Sequence, residues 1–304
     1  MDTLVLVPTY NERENLAALV PRILALTGFR ILVLDDASPD GTGVLAARLS
    51  WQYEGRVQVI HRPRKEGLGR AYVDGMRHAL EQSPDLVCQM DADGSHDVND
   101  LPGLVAAAHD CDLVIGSRYV AGGALVNWPW HRVALSRAAN TYFRAVMRMG
   151  VHDCTAGMRC WKPATLARLS LDTLRSNGYS FQVETLYRTL ALGCRVREVP
   201  ITFTERQRGS SKMDGRVMLE AFTLPWRLRR SASTGAYAAA SQDTQRQYAH
   251  STEQDQRHAT SVFDRETAGV SAAGAVGDRS AHRGGGRRDR DTPAQGRARN
   301  IRRG

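Results

Sequence analysis

Short apolar runs alternate with amphipathic segments from the start of the chain to about Tyr119. The strand-like runs read TLVLVPT, RILVLDD, VQVIHR, DLVCQMDAD and CDLVIGSRY. Apolar residues at helical spacing lie between them, in ENLAALVPRILAL, GTGVLAARLSWQY, GLGRAYVDGMRHALEQS and VNDLPGLVAAAHD. Strands that alternate with helices predict right-handed βαβ crossovers. The pattern therefore predicts an α/β fold with a mostly parallel central sheet and helices on both faces.

Polar residues follow four of these predicted strands. They occupy positions 9–12, 35–36, 91–93 and 116–118. The carboxyl ends of parallel strands share one edge of a sheet, and ligands bind outside that edge. Packing alone gives no reason for polar residues at four such ends, so we expect the functional site at this edge.

The acidic residues Asp91 and Asp93 stand two positions apart after an apolar run. Both carboxylates can reach one divalent cation, and Mg²⁺ and Mn²⁺ prefer carboxylate oxygens together with phosphate oxygens of a substrate. A D-x-D pair is short, and the competing interpretation is a solvated turn. Its position after a strand favours a site for Mg²⁺ or Mn²⁺.

Three other polar segments each admit two interpretations. The acidic pair at 35–36 either forms a turn or hydrogen-bonds a base or ribose. In the segment 8–12, Asn11 is a candidate N-cap for the next helix, whereas Tyr10 is a candidate to stack on a nucleobase. The loop at 206–212, RQRGSSK, is either a solvated surface loop or a clamp for phosphate.

Composition excludes several classes of protein. The chain is 42% hydrophobic and 24% charged, which excludes a collagen-like or fully disordered protein. No apolar run is long enough for a transmembrane helix. Its five cysteines form no C-x-x-C pair, which favours reduced thiols in the cytosol over a disulfide or zinc framework. The net charge of +9 favours acidic partners, namely nucleotides, phospholipid surfaces or nucleic acid.

The composition changes near residue 230. Only seven of the 74 residues at 231–304 are Val, Ile, Leu, Met, Phe, Tyr or Trp, and the segment ends in an Arg/Gly-rich patch. Such a segment buries too little apolar surface to offset the entropy lost on ordering. We expect a folded domain at 1–230 and a disordered tail at 231–304.

Eight motifs stand in order between about residue 3 and residue 215. They read LVPTYNERENL, LVLDDASPDGTG, GLGRAYVDGMRHAL, QMDADGSHD, DLVIGSRYVAGG, TAGMRCW, GYSFQVE and VPITFTERQRGSSKM. Together they resemble the dolichol- and polyprenol-phosphate mannosyltransferases of glycosyltransferase family 2, and most closely the actinobacterial polyprenol-phosphate mannose synthases. The resemblance implies an inverting enzyme with the GT-A fold of nucleotide-diphospho-sugar transferases.

The resemblance also implies a reaction and a set of site residues. The reaction is transfer of mannose from GDP-mannose to polyprenyl (dolichyl) phosphate, giving polyprenyl-phosphate β-mannose and GDP. The implied donor-binding residues are Pro8, Tyr10, Glu12, Leu34, Asp36, Asp91, Ala92, Asp93, Arg206 and Lys212. The implied acceptor-phosphate residues are Arg118, Arg132 and Ser136. The implied metal ligands are Asp91, Asp93 and Ser95, and the implied catalytic residues are Asp93, Arg118 and Arg206.

Several alternatives stay open at this stage. Ser95 stands where members of the family commonly carry Gln, and His96 follows it as a residue that could assist the metal. The donor is either GDP-mannose or another nucleotide sugar such as UDP-glucose, because a D-x-D pair contacts the diphosphate rather than the base or sugar. A non-catalytic membrane-associated subunit of the same fold is a further alternative. Nucleic-acid binding through the tail is not expected as the main function, because eight acidic residues are mixed into it.

The chemistry of a phosphate acceptor agrees with this set of residues. A phosphate monoester has its second pKa near about 6, so it is largely a dianion at neutral pH. It needs positioning and charge screening more than a general base. The arginines of the motifs therefore fit a phosphate acceptor better than a sugar acceptor, and we assign no dedicated base.

A lipid acceptor implies contact with a membrane surface. The segments 127–148 and 216–230 combine tryptophan and an apolar face with arginines, which is typical of interfacial helices. Packing of these helices on the core is the alternative. We expect a cytoplasmic protein that is peripheral on the inner face of the cell membrane, held by lipid or by an integral membrane partner.

Overall fold

The computed structural model describes residues 1–174, 176–205 and 215–232, with side chains in the last segment described for 222–230. The strands are β1 (Thr3–Thr9), β2 (Phe29–Asp35), β3 (Val57–His61), β4 (Leu86–Gln89), β5 (Leu113–Ser117), β6 (Ala124–Val126), β7 (Arg159–Trp161), β8 (Val196–Pro200) and β9 (Thr202–Thr204). The α-helices are α1 (Arg13–Leu24), α2 (Thr42–Gln52), α3 (Leu68–Gln82), α4 (Leu101–Ala107), α5 (Trp130–Met147), α6 (Pro163–Arg168), α7 (Gly178–Ala191) and α8 (Gly215–Ala232). Arg206, Lys212 and nearly all of the predicted tail lie outside the described residues.

The main sheet has the strand order β3-β2-β1-β4-β7-β5-β8 within the described residues. β7 runs antiparallel to its neighbours β4 and β5, and the other pairs are parallel. The prediction of an α/β fold with a mostly parallel sheet is confirmed, and the predicted apolar runs form β1 to β5.

Both faces of the sheet are covered, and the middle of β1 is apolar and buried at consecutive positions. In β1, Leu4 and Leu6 face one cluster of buried residues, together with Tyr72 of α3. Val5 and Val7 face the opposite cluster, which includes Leu16 of α1. Alternate side chains of a strand point to opposite faces, so a continuous apolar run is buried only when helices cover both.

The four strands that precede polar motifs end at one edge of this sheet. β1 and β2 end level with each other, since Thr9 pairs with Asp35. β4 is shorter than the predicted run and ends at Gln89, so Asp91 and Asp93 lie in the bend that follows it. Gly94 in this bend has φ of +77°, a conformation that glycine adopts without strain.

A small second sheet lies beside this bend. β6 and β9 pair in parallel, and an isolated bridge joins His96 to Phe203 of β9. The backbone N–H of Thr204 donates to the carbonyl of Ser95 at 3.0 Å. These contacts attach the D-x-D bend to the segment that directly precedes the predicted clamp.

Helices α5 and α8 pack along each other at the protein surface. The rings of Tyr142 and Phe222 are stacked at 5.2 Å, and the Trp226 indole N–H donates to the Tyr142 hydroxyl at 3.0 Å. Phe143 is buried, whereas Trp130 is 81% exposed. One side of α5 therefore packs on the core while its first turn is exposed to solvent, and contact with a membrane stays a prediction. Among the described residues, no helix combines the length and hydropathy needed to span a bilayer.

Candidate functional site

Asp91 is held on several sides by buried groups. Its backbone N–H donates to Nδ1 of His96 at 3.2 Å, and the Tyr72 hydroxyl donates to its Oδ1 at 3.3 Å. Tyr72 is fully buried, and its ring stacks on Phe181 with centroids 5.9 Å apart. Burial, reinforced by the charge of Asp91, raises the pKa of Tyr72 well above its ordinary value, so the phenol keeps its proton. Tyr72 therefore acts as a fixed donor beneath the carboxylate.

The other side of the Asp91 carboxylate faces Gly157 of the TAGMRCW motif. A Cβ at this position would lie 3.2 Å from Oδ2 of Asp91 and 3.4 Å from the His96 ring. The absent side chain thus leaves room beside Oδ2. The Asp91 side chain is 30% exposed, so it is accessible to a ligand as well as anchored.

Asp93 is oriented by Ser95. The Ser95 hydroxyl donates to Oδ1 of Asp93 at 2.6 Å, and its backbone N–H donates to the same oxygen at 3.1 Å. Ser95 is 2% exposed, and His96 is equally buried with its ring edge on Phe203. Both residues therefore support the bend, and His96 uses Nδ1 to accept from the Asp91 amide.

The fold family implies a divalent cation at this bend, and the residues present fit one. Their donors are carboxylate and hydroxyl oxygens, which suit Mg²⁺ or Mn²⁺, and the lack of a side chain at Gly157 leaves room beside Oδ2 of Asp91. In the described part of the chain, no three His, Cys, Asp or Glu side chains converge on one point. Asp91 and Asp93 would supply the carboxylate ligands of such a cation, and other oxygen donors would complete its coordination.

The predicted donor residues of the first strand end lie at the same edge. Tyr10 is half-buried, and the Lys65 ammonium lies 3.8 Å from the centroid of its ring. Glu12 accepts from the side-chain amide of Asn15 at 2.7 Å. Pro8 pairs with Leu34 in the sheet and is partly exposed.

The start of α1 is capped from the neighbouring loop, so the interpretation of Asn11 as its N-cap is wrong. Asn11 lies outside the helix with φ of +61°. The N–H of Glu12 donates to Thr42 Oγ1 at 3.0 Å, and the N–H of Arg13 donates to Asp40 at 3.3 Å. The loops after β1 and β2 are thereby joined.

Leu34 and Asp36 are placed differently from the other donor residues. The Leu34 side chain is fully buried in the core and packs against Gly75 of α3, so it does not face the cleft. Asp36 is 5% exposed and is paired with Arg62. Its carboxylate also accepts from the N–H groups of Glu66 and Gly67, at 3.2 and 3.1 Å. Asp36 thus anchors the loop that carries Lys65 over Tyr10.

Arg62 is a site residue that the sequence gives no reason to select. It is 2% exposed at its side chain and binds Asp36, Glu66 and Asp74. One buried cation therefore ties the end of β2 to the start of α3. Such a hub depends on residues distant in sequence, so only the folded chain reveals it.

Arg118 lies directly after β5 in a buried ion pair. Its Nε and Nη2 donate to the two carboxylate oxygens of Asp153, both at 2.7 Å. Although burial disfavours the cation, Asp153 outweighs that effect and raises the pKa of Arg118 above its ordinary value. The guanidinium carbon also lies 5.9 Å from the Trp128 ring and 5.3 Å from the Phe203 ring.

Arg132 and Ser136 lie on the same side of the molecule as Arg118. The guanidinium carbon of Arg132 is 5.0 Å from the Trp128 ring, and Arg132 pairs with Glu205. The Tyr119 hydroxyl donates to Ser136 Oγ at 2.7 Å. Both predicted arginines therefore lie within 5.9 Å of one tryptophan ring, and their role at an acceptor phosphate stays a prediction.

Comparisons with known proteins identify the family of the chain. The profile of "Glycosyl transferase family 2" matches residues 4–164. The chain is 48% identical over 221 residues to the polyprenol monophosphomannose synthase of Mycolicibacterium smegmatis, covering 72% of this chain and 83% of that protein. It is 46% identical over 222 residues to the undecaprenyl-phosphate mannosyltransferase of Micrococcus luteus, covering 73% and 91%.

Solved structures show the same fold at lower sequence identity. The glucosyl-3-phosphoglycerate synthase of Mycobacterium tuberculosis, solved with Mn²⁺, UDP and phosphoglyceric acid, superposes with a TM-score of 0.56 and 18% identity. The match covers 73% of this chain and 76% of that one. A second structure of that protein, with Mn²⁺, UDP-glucose and phosphoglyceric acid, gives a TM-score of 0.54.

Proposed function

Because the chain belongs to glycosyl transferase family 2 and is a glycosyltransferase of GT-A fold, we propose that it transfers mannose from GDP-mannose to polyprenyl phosphate with inversion. The observation that carries the proposal is the pair of relatives at 48% and 46% identity, both named for mannosyl transfer to a prenyl phosphate. The products are polyprenyl-phosphate β-mannose and GDP.

The cleft supports this proposal from the acceptor side. Arg118 and Arg132 flank Trp128, and Ser136 lies close to them through Tyr119. Two cations and a hydroxyl suit the dianion of a phosphate monoester, which attacks without first losing a proton to a base. These residues bind and orient the phosphate, so positioning supplies much of their contribution.

On the donor side, Asp91 and Asp93 would hold Mg²⁺ or Mn²⁺, with Ser95 orienting Asp93. When bound, such a cation stabilises negative charge on a diphosphate leaving group. Tyr10, Pro8 and Glu12 lie at the neighbouring strand end, where they would contact the guanosine part. Arg206 and Lys212 would close over the phosphates, since their segment directly follows Glu205 in the sequence.

The surface of α5 and α8 supports a peripheral position on the inner face of the cell membrane. Phe222 is 61% exposed and Trp226 is 52% exposed. They line an open groove of about 430 Å³ together with Thr223, Arg227 and Arg230. Exposed aromatic rings beside arginines suit the boundary between headgroups and acyl chains. Direct lipid contact is thus our proposal, with an integral membrane partner as the alternative.

A transfer assay tests the proposed reaction. The wild-type protein is incubated with radiolabelled GDP-mannose, a short polyprenyl phosphate and Mg²⁺ or Mn²⁺, beside the Asp91→Ala variant. We expect label in the lipid fraction that requires the cation and is lost in the variant. UDP-glucose serves as the donor control.

Each other outcome has a distinct meaning. Labelling only from UDP-glucose would refute the mannose assignment and keep a prenyl-phosphate acceptor. Transfer that survives Asp91→Ala would refute the cation site. An absence of transfer from either donor, in folded protein supplied with membranes, would favour a non-catalytic subunit.

A further inference from the structure

Asp153 is completely buried and receives hydrogen bonds from both the side chain and the backbone of Arg118. Besides the two guanidinium bonds, the Arg118 backbone N–H donates to Oδ2 of Asp153 at 3.0 Å. The Arg118 side chain is 5% exposed and the Asp153 side chain 0%. The guanidinium is therefore oriented by two donors, Nε and Nη2, while the third donor holds the Arg118 backbone.

Thr155 and Asn140 extend this network toward Ser136. The Thr155 hydroxyl accepts from Arg118 Nη2 at 2.8 Å and from Asn140 Nδ2 at 3.3 Å, and it donates to Asp153 Oδ1 at 3.3 Å. Asn140 Nδ2 also donates to the Ser136 carbonyl at 3.0 Å, while its Oδ1 accepts from the Cys154 N–H at 2.7 Å. Two predicted acceptor residues thus share one buried scaffold.

The network leaves particular donors available. Among the described residues, Nη1 of Arg118 forms no hydrogen bond, whereas Nε and Nη2 are both engaged. The Ser136 hydroxyl accepts from Tyr119, so its own proton can be donated elsewhere. In contrast, both oxygens of Asp153 are occupied by donors, which makes this carboxylate a poor general base.

The backbone of this scaffold is anchored from below by Glu198 of β8. Glu198 accepts from the N–H groups of His152 and Asp153, both at 2.8 Å. Glu198 is fully buried at its side chain. The position of Asp153 is therefore set by the sheet rather than by a surface loop alone.

We propose that Asp153, Thr155 and Asn140 are positioning residues that aim Arg118 Nη1 and the Ser136 hydroxyl at the phosphate of the acceptor. The inference rests on the proposed function, because that function supplies the prenyl phosphate. The residues act through Arg118 and Ser136 and do not themselves touch the reacting atoms.

The test compares Thr155→Val and Asp153→Asn with Thr189→Val as a matched control. Thr189 is a fully buried threonine of α7 whose hydroxyl, within the described part of the chain, donates to the Thr185 carbonyl of the same helix. Calorimetric titration with farnesyl phosphate measures acceptor binding without any donor, and farnesol shows whether the phosphate is required. Steady-state transfer gives KM for each substrate and kcat.

We expect Thr155→Val to weaken farnesyl phosphate binding about tenfold, because hydrogen bonds to charged groups are strong. The KM for the acceptor should rise by a similar factor, while the KM for the donor stays near the wild-type value. The Thr189→Val variant should keep wild-type acceptor binding and wild-type KM values. Asp153→Asn should show the same pattern more strongly. If Asp153→Asn does not fold, the result for Thr155→Val alone tests the proposal.

Unchanged acceptor binding in a folded Thr155→Val protein would overturn the inference. So would a collapse of kcat in Asp153→Asn with unchanged acceptor KM, because that pattern indicates a base. If the wild type bound farnesyl phosphate but did not use GDP-mannose, the donor assignment would fail and the positioning test would stand. If the wild type did not bind farnesyl phosphate, both proposals would fail.

Discussion

At the scale of single residues, several predicted site residues are each held in place by a buried polar side chain. Tyr72 holds Asp91, Ser95 holds Asp93, and Asp153 holds Arg118. Each supporting group is buried, so its geometry is restricted by packing. Partners that orient a ligating side chain commonly affect metal affinity as much as tenfold or more.

Tyr72→Phe should therefore weaken binding of Mn²⁺. The change removes the donor to Asp91 Oδ1 and keeps the ring that stacks on Phe181. We expect about a tenfold loss of Mn²⁺ affinity, measured by electron paramagnetic resonance of the free ion. Tyr187→Phe, at a partly buried tyrosine of α7, is the control. Equal affinity in both variants would show that the Tyr72 hydroxyl does not support the ion.

Asp100→Asn should stabilise the fold at neutral pH. Within the described residues, Oδ2 of Asp100 is buried without a hydrogen-bond partner. Burial, followed by the charge of Asp97, raises the pKa of Asp100 above its ordinary value of 3.8. A raised carboxyl pKa means that stability is lost as the pH increases from 3.8 through the folded-state pKa.

The advantage of Asp100→Asn in free energy of unfolding should accordingly grow between about pH 4 and pH 7 and vanish in more acidic solution. Urea denaturation at several pH values measures it. A constant difference across that range would contradict the assigned titration.

At the scale of elements, the strands and helices of the first 120 residues follow from the sequence, whereas several later elements do not. Continuous apolar runs flanked by turn residues identify β1 to β5 because such runs must be buried on both faces. β6, β7 and β9 have three residues each and carry no detectable period. Their strand conformation depends on pairing with segments distant in the sequence, which local patterns do not specify.

The same distinction applies to the site. Strand-end motifs locate Asp91, Asp93 and Arg118, since parallel strands share an edge. The pairing of Asp36 with Arg62 and of Arg118 with Asp153 joins residues 26 and 35 positions apart. Sequence patterns do not encode such contacts. The folded structure is therefore needed to show that Asp153 is the buried partner of Arg118 and that Asp36 is already paired with Arg62.

The start of α3 provides a test of element packing. A Cβ on Gly69 would lie 2.3 Å from the Ser176 carbonyl oxygen, whereas a Cβ on Gly103 of α4 would meet nothing within 4 Å. Gly69→Ala should cost about 2–3 kcal/mol because backbone must move. Gly103→Ala should gain about 0.5–1 kcal/mol from helix propensity. Thermal unfolding of both variants measures the contrast, and similar effects in the two would contradict close packing at Gly69.

At the scale of the whole molecule, the exposed aromatic residues of α5 and α8 distinguish one surface. Trp226→Ala should weaken binding to phosphatidylglycerol vesicles by about fivefold or more, because a tryptophan side chain that inserts into the membrane interface contributes strongly to partitioning. Trp51→Ala is the matched control, because Trp51 is 85% exposed on α2. Cosedimentation measures binding. An equal loss in the two variants would refute a specific membrane-facing surface.

Removal of the residues after Ala232 should leave turnover intact. The residues proposed to bind both substrates and the cation all precede this point. We expect kcat and KM within about twofold of the full chain when short polyprenyl phosphates are supplied in detergent, because no binding group is removed. Loss of transfer in a folded truncated protein would assign the tail an essential role.

Ring contacts beside the second sheet connect the proposed acceptor side of the cleft to the proposed cation side, and these aromatic rings form a wall common to both sides. Trp128 contacts Phe203 edge to face at 5.6 Å, and Phe203 contacts His96 at 5.1 Å. Trp128 flanks the arginines, and His96 receives the Asp91 amide. A substitution that enlarges the acceptor side at Phe203 would therefore also displace the cation side. In the proposed site, acceptor preference and cation affinity are therefore expected to change together when Phe203 is substituted.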